Sequence, residues 1–354
     1  MISFRLAMKC SPVFFVMASG FHMENALLVG RLLYSGSDDF LPTASSIVPP
    51  ESRRVKQPNE TFSSPSWPIS IGAPVWSCDG WGDLVYPKKT PRTEWLSWYT
   101  RTFNTVEGNS TFYAVPGEQT FRGWAEQAAD GFEFCFKFPK RISHDSMLQH
   151  CDDEVREFLA RLRVIAKANR LGPTFLQLGP NFGPDRLPIL AKFLRRLPRE
   201  LPWAVELRHH DWFDSADNEA RVNDLLRDLQ IDKVTFDSRP LFQSPPEDVI
   251  EEKSQARKPR TPVRQTVTAQ RPMLRIVGRN RVELADTFLD QWLPILIGWL
   301  ETGLRPIVFT HTPDDRLAPQ FADLLLTKLA DAMPGVDFTL PRPPQSPEQL
   351  SLLD

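Results

Sequence analysis

Eight short runs of β-branched and aromatic residues alternate with helix-like segments, and this alternation limits the folds open to the chain. Between the runs, apolar residues recur at helical spacing, as in the segment with Phe121, Trp124 and Ala128. Alternating strands and helices are typical of a parallel sheet covered by helices. The predicted strands occupy residues 69–72, the start of 103–113, 133–138, 174–178, 203–207, 233–237, 273–277 and 306–311.

This order predicts a single-domain α/β fold, a (β/α)8 TIM barrel. An open doubly wound sheet is the alternative, but the sequence has no GxGxxG, P-loop or nucleophile-elbow motif to favour it. Residues 67–338 form the predicted barrel domain, preceded by a disordered non-core extension at 1–66 and followed by a Pro-rich tail at 339–354. Within the barrel, residues 239–272 lack periodicity, which predicts an insertion without a helix.

The first residues have the outline of a signal peptide, because Arg5 and Lys9 precede an apolar run at 12–21. That run is too short to span a bilayer, and Met23 offers a second possible start. The net charge of −2 gives no overall attraction to membranes or nucleic acid. We expect a cytoplasmic protein with no membrane partner, because its cysteines form no CxxC motif and suit free thiols: Cys10, Cys78, Cys135 and Cys151.

Polar residues close seven of the eight predicted strands. Strand side chains alternate between two faces, so an inward Cys135 predicts an inward Lys137. Because an isolated buried charge is costly, a ring of such residues predicts a solvated functional mouth at the carboxyl ends of the strands. A structural ion network is the alternative. The predicted inward set is Glu107, Lys137, Gln177, Glu206, Asp237, Arg275 and His311, with Arg208, Asn109, Ser110 and Tyr113 just beyond strand ends.

Carboxylates beside cations suit a polar or anionic substrate, such as a phosphate or nucleotide. Lys137, Arg208 and Arg275 are predicted to bind the anion, with Glu107 or Glu206 as the general base of hydrolase- or lyase-type chemistry. Lys137 as a Schiff-base nucleophile is an alternative. So is a divalent metal cofactor. A non-catalytic module that binds a ligand or partner at the same mouth is the rival. The candidate metal ligands are Glu107, Glu206, Asp237 and His311.

Six motifs carry a resemblance to a known family: GWGDLVYP, FNTVEGNSTFYAVP, FEFCFKFPKRISH, LQLGPNF, AVELRHHDWF and VFTHTPDD. In this order, over residues 69–334, they resemble the domain of unknown function 72 family, also called YecE-like. The resemblance implies a TIM barrel and implies no activity. Two departures are the sequence LRIVGRN, where the family is closer to VRLHG, and His311, where FNN is commoner. The residues that match the family motifs are Trp81, Glu107, Asn109, Ser110, Thr111, Phe112, Tyr113, Lys137, Gln177, Glu206, Arg208 and Arg275.

Two further segments suggest partners. Residues 253–271 hold six basic and no acidic side chains, typical of a solvated loop, although after the sixth strand such a loop would overhang the mouth and meet a polyanion such as nucleic acid. The tail ends in QLSLL, which resembles the peptide that docks bacterial DNA-processing enzymes on the sliding clamp. Its predicted contact residues are Gln349, Leu350, Leu352 and Leu353.

Overall fold

The computed structural model describes residues 62–344, which lie in one compact unit that begins at Pro58. Its strands are β1 Ser70–Gly72, β2 Thr105–Gly108, β3 Glu133–Phe136, β4 Thr174–Gln177, β5 Trp203–Glu206, β6 Asp232–Asp237, β7 Met273–Val277 and β8 Ile307–His311. Its helices are α1 Trp95–Thr102, α2 Ser110–Tyr113, α3 Glu118–Gln127, α4 Asp152–Lys167, α5 Leu187–Arg196, α6 Asp211–Asp214, α7 Ala216–Asp228, α8 Val249–Arg257, α9 Asp286–Glu301 and α10 Ala318–Ala332. The predicted α/β class is confirmed.

The predicted closed eight-stranded barrel is wrong. The strands form a six-stranded parallel sheet, in the order β1-β8-β7-β6-β5-β4, and a separate two-stranded parallel sheet of β2 and β3. The ladder is therefore open at two places, between β1 and β2 and between β3 and β4. Each opening has an identifiable cause.

Side chains replace most of the backbone ladder between β1 and β2, where the Glu107 N–H still donates to the Ala73 carbonyl at 3.1 Å. The amide of Asn104 accepts from the Ile71 N–H at 2.7 Å and donates to the Ile69 carbonyl at 2.9 Å. The Tyr99 hydroxyl accepts from the Ala73 N–H and donates to the Thr105 carbonyl. These bonds satisfy buried backbone groups that a continuous sheet would otherwise pair.

A register shift opens the ladder between β3 and β4. Only two isolated parallel bridges connect these strands, Phe134 with Leu171 and Lys137 with Phe175, and the register moves by one residue between them. Pro173 lies in the gap and has no N–H to donate. The two bridges still hold the end of β3 beside β4.

The insertion at 239–272 contains a helix, contrary to expectation. The Asp248 side chain accepts hydrogen bonds from the Ile250 and Glu251 N–H groups and so caps α8. Buried Glu251 then receives hydrogen bonds from the buried Arg279 guanidinium beyond β7. Capping and one buried ion pair, rather than an apolar stripe, stabilise this helix.

The outer faces of the strands pack on the helices. Phe134 and Phe136 stack with centroids 5.4 Å apart, and Phe136 packs on Phe121 and Trp124 of α3. These phenylalanines therefore face outward, toward the helices. Cys135 is accordingly inward, in a buried apolar layer with Phe175, Ala204, Val234, Met273, Ile307 and Phe309. Within residues 62–344, no helix combines the length and apolar character needed to cross a bilayer.

Candidate active site

A polar layer lies next to the apolar layer, toward the carboxyl ends of the strands. Most members lie two residues after an apolar-layer residue on the same strand, so both side chains face inward. All of them are at least nine-tenths buried. We call this set the mouth cluster: Glu107, Lys137, Gln177, Glu206, Arg275 and His311.

Arg275 connects the two sheets through the mouth cluster. Its Nε and Nη2 donate to the Glu107 carboxylate on β2 at 2.7 and 2.6 Å, and its Nη1 donates to Glu206 on β5 at 2.5 Å. Both carboxylates are fully buried. Each of the three guanidinium nitrogens thus donates to a carboxylate and the charge of Arg275 is already balanced, while its predicted binding of a substrate anion stays a prediction.

Each carboxylate has further partners. Glu107 receives hydrogen bonds from Asn109 Nδ2 at 2.7 Å and from His311 Nε2 at 3.0 Å. Glu206 receives one from Arg208 Nε at 2.6 Å, and the Arg208 guanidinium lies 4.9 Å from the Phe236 ring. The ion cluster therefore contains two carboxylates and two guanidinium groups, which balance in charge.

The pKa values of the two glutamates do not suit a general base at neutral pH. Burial by itself raises the pKa of Glu107, but Arg275 and His311 outweigh it and hold that pKa well below its usual range. Burial likewise raises the pKa of Glu206, but Arg208 and Arg275 lower it to about 2. A base is most effective when its pKa lies near the working pH. These low pKa values disfavour the predicted role of Glu107 or Glu206 as the general base.

Lys137 follows β3 and has a different environment. It is 8% exposed, and within the described part of the chain its amine has no hydrogen-bond or ion-pair partner. Its Nζ lies 4.0 Å from the centroid of the Phe112 ring. Burial lowers the pKa of Lys137 to about 7, and the Arg275 cation acts in the same direction. The ring face favours the ammonium by about 0.5–2 kcal/mol, which is too little to offset burial in a charge-balanced cluster.

Gln177 is the second unsatisfied member of the cluster. It ends β4, beside Glu206 in the β4–β5 register. It is 4% exposed, and its Oε1 atom is buried without a partner among residues 62–344. A buried amide oxygen without a donor is costly, so it is a candidate ligand acceptor.

Two mouth residues were missed in the sequence. Lys258 lies in the basic run after β6; burial lowers its pKa to about 8, with Arg275, Glu107 and Arg208 as electrostatic neighbours. Asp315 follows β8, and burial raises its pKa to about 6 against the opposing charge of Lys258. Lys258 belongs to the basic run at residues 253–271, and Asp315 is the last residue of the TPDD motif. Neither is on a strand, so alternation could not place them.

The rest of the basic run divides in two. Arg264 pairs with Glu219 and Arg271 with Glu133, so these two residues support the fold. Lys253, Arg257 and Arg260 are exposed. Of the basic run that was expected to overhang the mouth, Lys258 is the residue that lies near the mouth cluster.

Asp237 does not join the mouth cluster, and its predicted inward orientation is wrong. Its carboxylate accepts from Arg239 and from the indole N–H of Trp292 on α9. On β6, Val234 lies in the inward apolar layer and Phe236 faces Arg208 and Arg275. Alternation therefore turns Asp237 outward.

The other predicted residues lie at the edge of the mouth. Asn109 reaches Glu107, as described, and its Nδ2 also donates to the Pro74 carbonyl. Ser110 is exposed and Tyr113 is 82% exposed, so neither contacts the mouth cluster. Phe112 between them packs edge-on against His144 and presents its face to Lys137.

Of the four candidate metal ligands, Glu107 and His311 are in contact, but the other two do not join them. Glu107 and Glu206 are separated by the Arg275 guanidinium, and Asp237 faces the opposite side of its strand. Residues 62–344 contain no group of three or more His, Cys, Asp or Glu side chains arranged to hold a metal ion. The donor set around the mouth thus suits an anion better than a divalent cation.

The fold and the mouth define an α/β protein with an ionic cluster at the carboxyl ends of its strands. The chain belongs to the family described as "Protein of unknown function DUF72", which matches residues 70–348. It is 38% identical to the UPF0759 protein YecE of Escherichia coli K12 over 284 residues, which cover 80% of this chain and 99% of the relative. The resemblance inferred from the motifs is therefore confirmed.

Three more distant comparisons, one of sequence and two of structure, were also found. UPF0759 protein YunF of Bacillus subtilis is 25% identical over 141 residues, covering 38% of this chain and 50% of that protein. A DUF72 family crystal structure from Enterococcus faecalis superposes with a TM-score of 0.57 at 16% identity, covering 78% of this chain and 99% of that one. A DUF72 family crystal structure from Thermotoga maritima superposes with a TM-score of 0.53 at 21% identity, covering 73% of this chain and 98% of that one.

Proposed function

We propose that this protein is an enzyme that acts on a polar, anionic substrate at the mouth, with the Lys137 amine as its reactive group. The observation that carries the proposal is the Lys137 side chain, which is 8% exposed and whose amine has no hydrogen-bond or ion-pair partner among residues 62–344. A lysine whose pKa is about 7 exists in both protonation states at neutral pH. It can therefore exchange protons with a substrate in hydrolase- or lyase-type acid/base chemistry.

Arg208 and Lys258 are the proposed anion-binding groups. Arg208 uses only Nε on Glu206, and its two terminal nitrogens have no hydrogen-bond partner in the described part of the chain. Lys258 likewise has no hydrogen bond or ion pair there, although Glu107 and Asp315 are its electrostatic neighbours. Arg208 and Lys258 are also electrostatic neighbours of each other in the mouth. A phosphate or carboxylate is the ligand that such a pair of cations binds best.

The test compares turnover in matched lysine variants. The wild type, Lys137→Met and Lys140→Met are incubated with a panel of phosphorylated and carboxylated metabolites, and mass spectrometry measures consumption. Lys140 is an exposed lysine three residues away that pairs with Asp145, so its variant is the control. We expect Lys137→Met to lose about 100-fold or more of the activity while Lys140→Met keeps it. Unchanged turnover in a normally folded Lys137→Met protein would exclude the proposal.

A non-catalytic binding module is the second candidate. It is favoured by the complete pairing of Glu107 and Glu206, which removes the two expected bases. Under this alternative, Lys137→Met changes the affinity for phosphate in calorimetry, and no member of the panel is converted by the wild type.

The tail and the cellular location are separate proposals. Residues 345–354, including the QLSLL peptide, and residues 1–61, including the signal-like run, lie outside the described residues. We propose that QLSLL docks on a bacterial sliding clamp, linking the protein to DNA metabolism, and that the protein works in the cytoplasm. A pull-down with purified clamp should capture the full chain but not one lacking residues 349–354. Equal capture of both would exclude docking through this peptide.

A further inference from the structure

Two buried lysines at the strands have opposite surroundings. Lys233 of β6 points toward α7 and donates to Asn223 at 2.9 Å and to Glu219 at 3.2 Å. Lys137 points inward and has no acceptor among the described residues. Lys233 is therefore an ordinary paired lysine, whereas Lys137 is buried without a structural partner.

The charges around Lys137 favour the neutral amine. Glu107 and Glu206 are already matched by Arg275 and Arg208. A proton on Lys137 would add a positive charge for which the cluster has no free carboxylate. Desolvation next to other cations is the environment that activates a lysine as a nucleophile.

We propose that the Lys137 amine forms an imine with an aldehyde or ketone that also carries a phosphate or carboxylate. The inference rests on the proposed function, since Arg208 and Lys258 would hold the anionic group while Lys137 meets the carbonyl carbon. Gln177, whose Oε1 is buried without a donor among residues 62–344, would accept a hydrogen bond from a substrate hydroxyl.

The reaction needs no oxidant or reductant. The Nζ lone pair attacks the carbonyl carbon, the carbonyl π electrons move to oxygen, and a carbinolamine forms. The carbon–oxygen bond then breaks, and both hydrogens of the neutral amine leave with that oxygen as water, giving a carbon–nitrogen double bond. Addition of water reverses these steps and frees the lysine.

Reductive trapping tests the proposal on the full-length protein. Glyoxylate, a small aldehyde with a carboxylate, is added with cyanoborohydride, which reduces the imine to a stable secondary amine. Peptide mass spectrometry then measures labelling at each lysine. We expect Lys137 to be labelled at least about tenfold faster than Lys140, because Lys137, unlike Lys140, is activated by desolvation and neighbouring cations. The neutral aldehyde glycolaldehyde should label Lys137 more slowly than glyoxylate, and phosphate should slow the glyoxylate reaction.

Each outcome is decisive. Labelling of Lys137 no faster than Lys140 would overturn the imine, and if phosphate still raises the melting temperature of the wild type but not of an Arg208→Met variant, the proposed anion site stands. Equal labelling by both aldehydes without protection by phosphate would overturn the anionic substrate and the proposed function with it. A Lys137→Met variant should lose the adduct at that position only. Because the comparison between lysines is made within the wild type, it holds even if this variant fails to fold.

Discussion

Replacing Arg275 with Met removes the cation that connects two buried carboxylates. The guanidinium donates to Glu107 at 2.7 and 2.6 Å and to Glu206 at 2.5 Å, and both glutamates are fully buried. Met fills similar space without charge, so the variant leaves Glu107 with no cationic partner other than a protonated His311. Breaking a buried ion pair by removing one partner costs about 3–5 kcal/mol.

The pKa of Glu206 gives a separate measure of how strongly the two arginines stabilise its ionised carboxylate. Burial opposes ionisation, yet Arg208 and Arg275 together lower this pKa from 4.5 to about 2. Such a shift corresponds to about 3 kcal/mol in favour of the ionised form, shared between the two arginines. Glu107, held well below its usual pKa mainly by Arg275, adds to this. We expect Arg275→Met to lower the free energy of unfolding at pH 7 by about 3–5 kcal/mol.

The pH dependence has a definite sign. A carboxyl whose pKa is lower in the folded state stabilises the fold above its unfolded pKa and loses that contribution as the pH falls through its folded pKa. For Glu206 in the wild type, the loss therefore runs from about pH 4.5 down to about pH 2. Without Arg275, burial raises the pKa values of both carboxyls, and protonation relieves the uncompensated charge. The difference in the free energy of unfolding between the variant and the wild type should therefore become smaller as the pH falls from 7 to 4.5.

Urea unfolding followed by tryptophan fluorescence at pH 7 and pH 4.5 measures both effects. The control is Arg122→Met, which breaks an exposed pair with Glu118, whose side chains are 55% and 46% exposed, and should cost less than about 1 kcal/mol. If Arg275→Met lowers the free energy of unfolding by less than about 1 kcal/mol at pH 7, the buried pairs contribute no more than exposed ones, and the reasoning is refuted. An equal loss at the two pH values would do the same.

Three further substitutions test the fold around the mouth. Trp292→Phe removes the indole donor to buried Asp237 and should cost about 1–3 kcal/mol in urea unfolding; a cost near zero would contradict that bond. Gly72→Ala places a Cβ 2.1 Å from the Thr105 carbonyl oxygen, so we expect a loss of about 3 kcal/mol or an insoluble protein, and wild-type thermal stability would argue against the close approach. Arg279→Met removes the partner of Glu251 in a buried ion pair, so we expect a loss of about 3–5 kcal/mol in the free energy of unfolding and faster proteolysis within residues 239–272 than in the wild type.

Strand order and most inward residues were predictable because they depend on local periodicity. Ala204 and Glu206 share a face in the sequence as they do in the structure, and so do Cys135 and Lys137. The same alternation rule also applies to β6, but there the inward face was assigned to the wrong set of residues, which included Asp237. On β6 the apolar residues Val234 and Phe236 alternate with Lys233, Thr235 and Asp237, so the apolar set marked the inward face.

The open ladders were not predictable from periodicity. Between β1 and β2, the decisive groups are the side-chain amide of Asn104 and the hydroxyl of Tyr99, which bond to backbone atoms far away in the sequence. Lys258 and Asp315 pose the same difficulty, because loops rather than strands bring them to Glu107. Such contacts follow from the tertiary structure and leave little local pattern.

The sequence left a functional mouth and a structural ion network as alternatives, and the geometry assigns different residues to each. Glu107, Glu206, Arg275 and Arg208 satisfy one another and join β2 to β5 and β7 across the two sheets. Removing any one of them exposes a buried charge, so their first effect is on stability. Lys137, Lys258 and Gln177 have no such partners among residues 62–344. If the mouth binds an anion as proposed, that anion should raise the pKa of Lys258 above about 8, and binding should therefore take up protons near that pH.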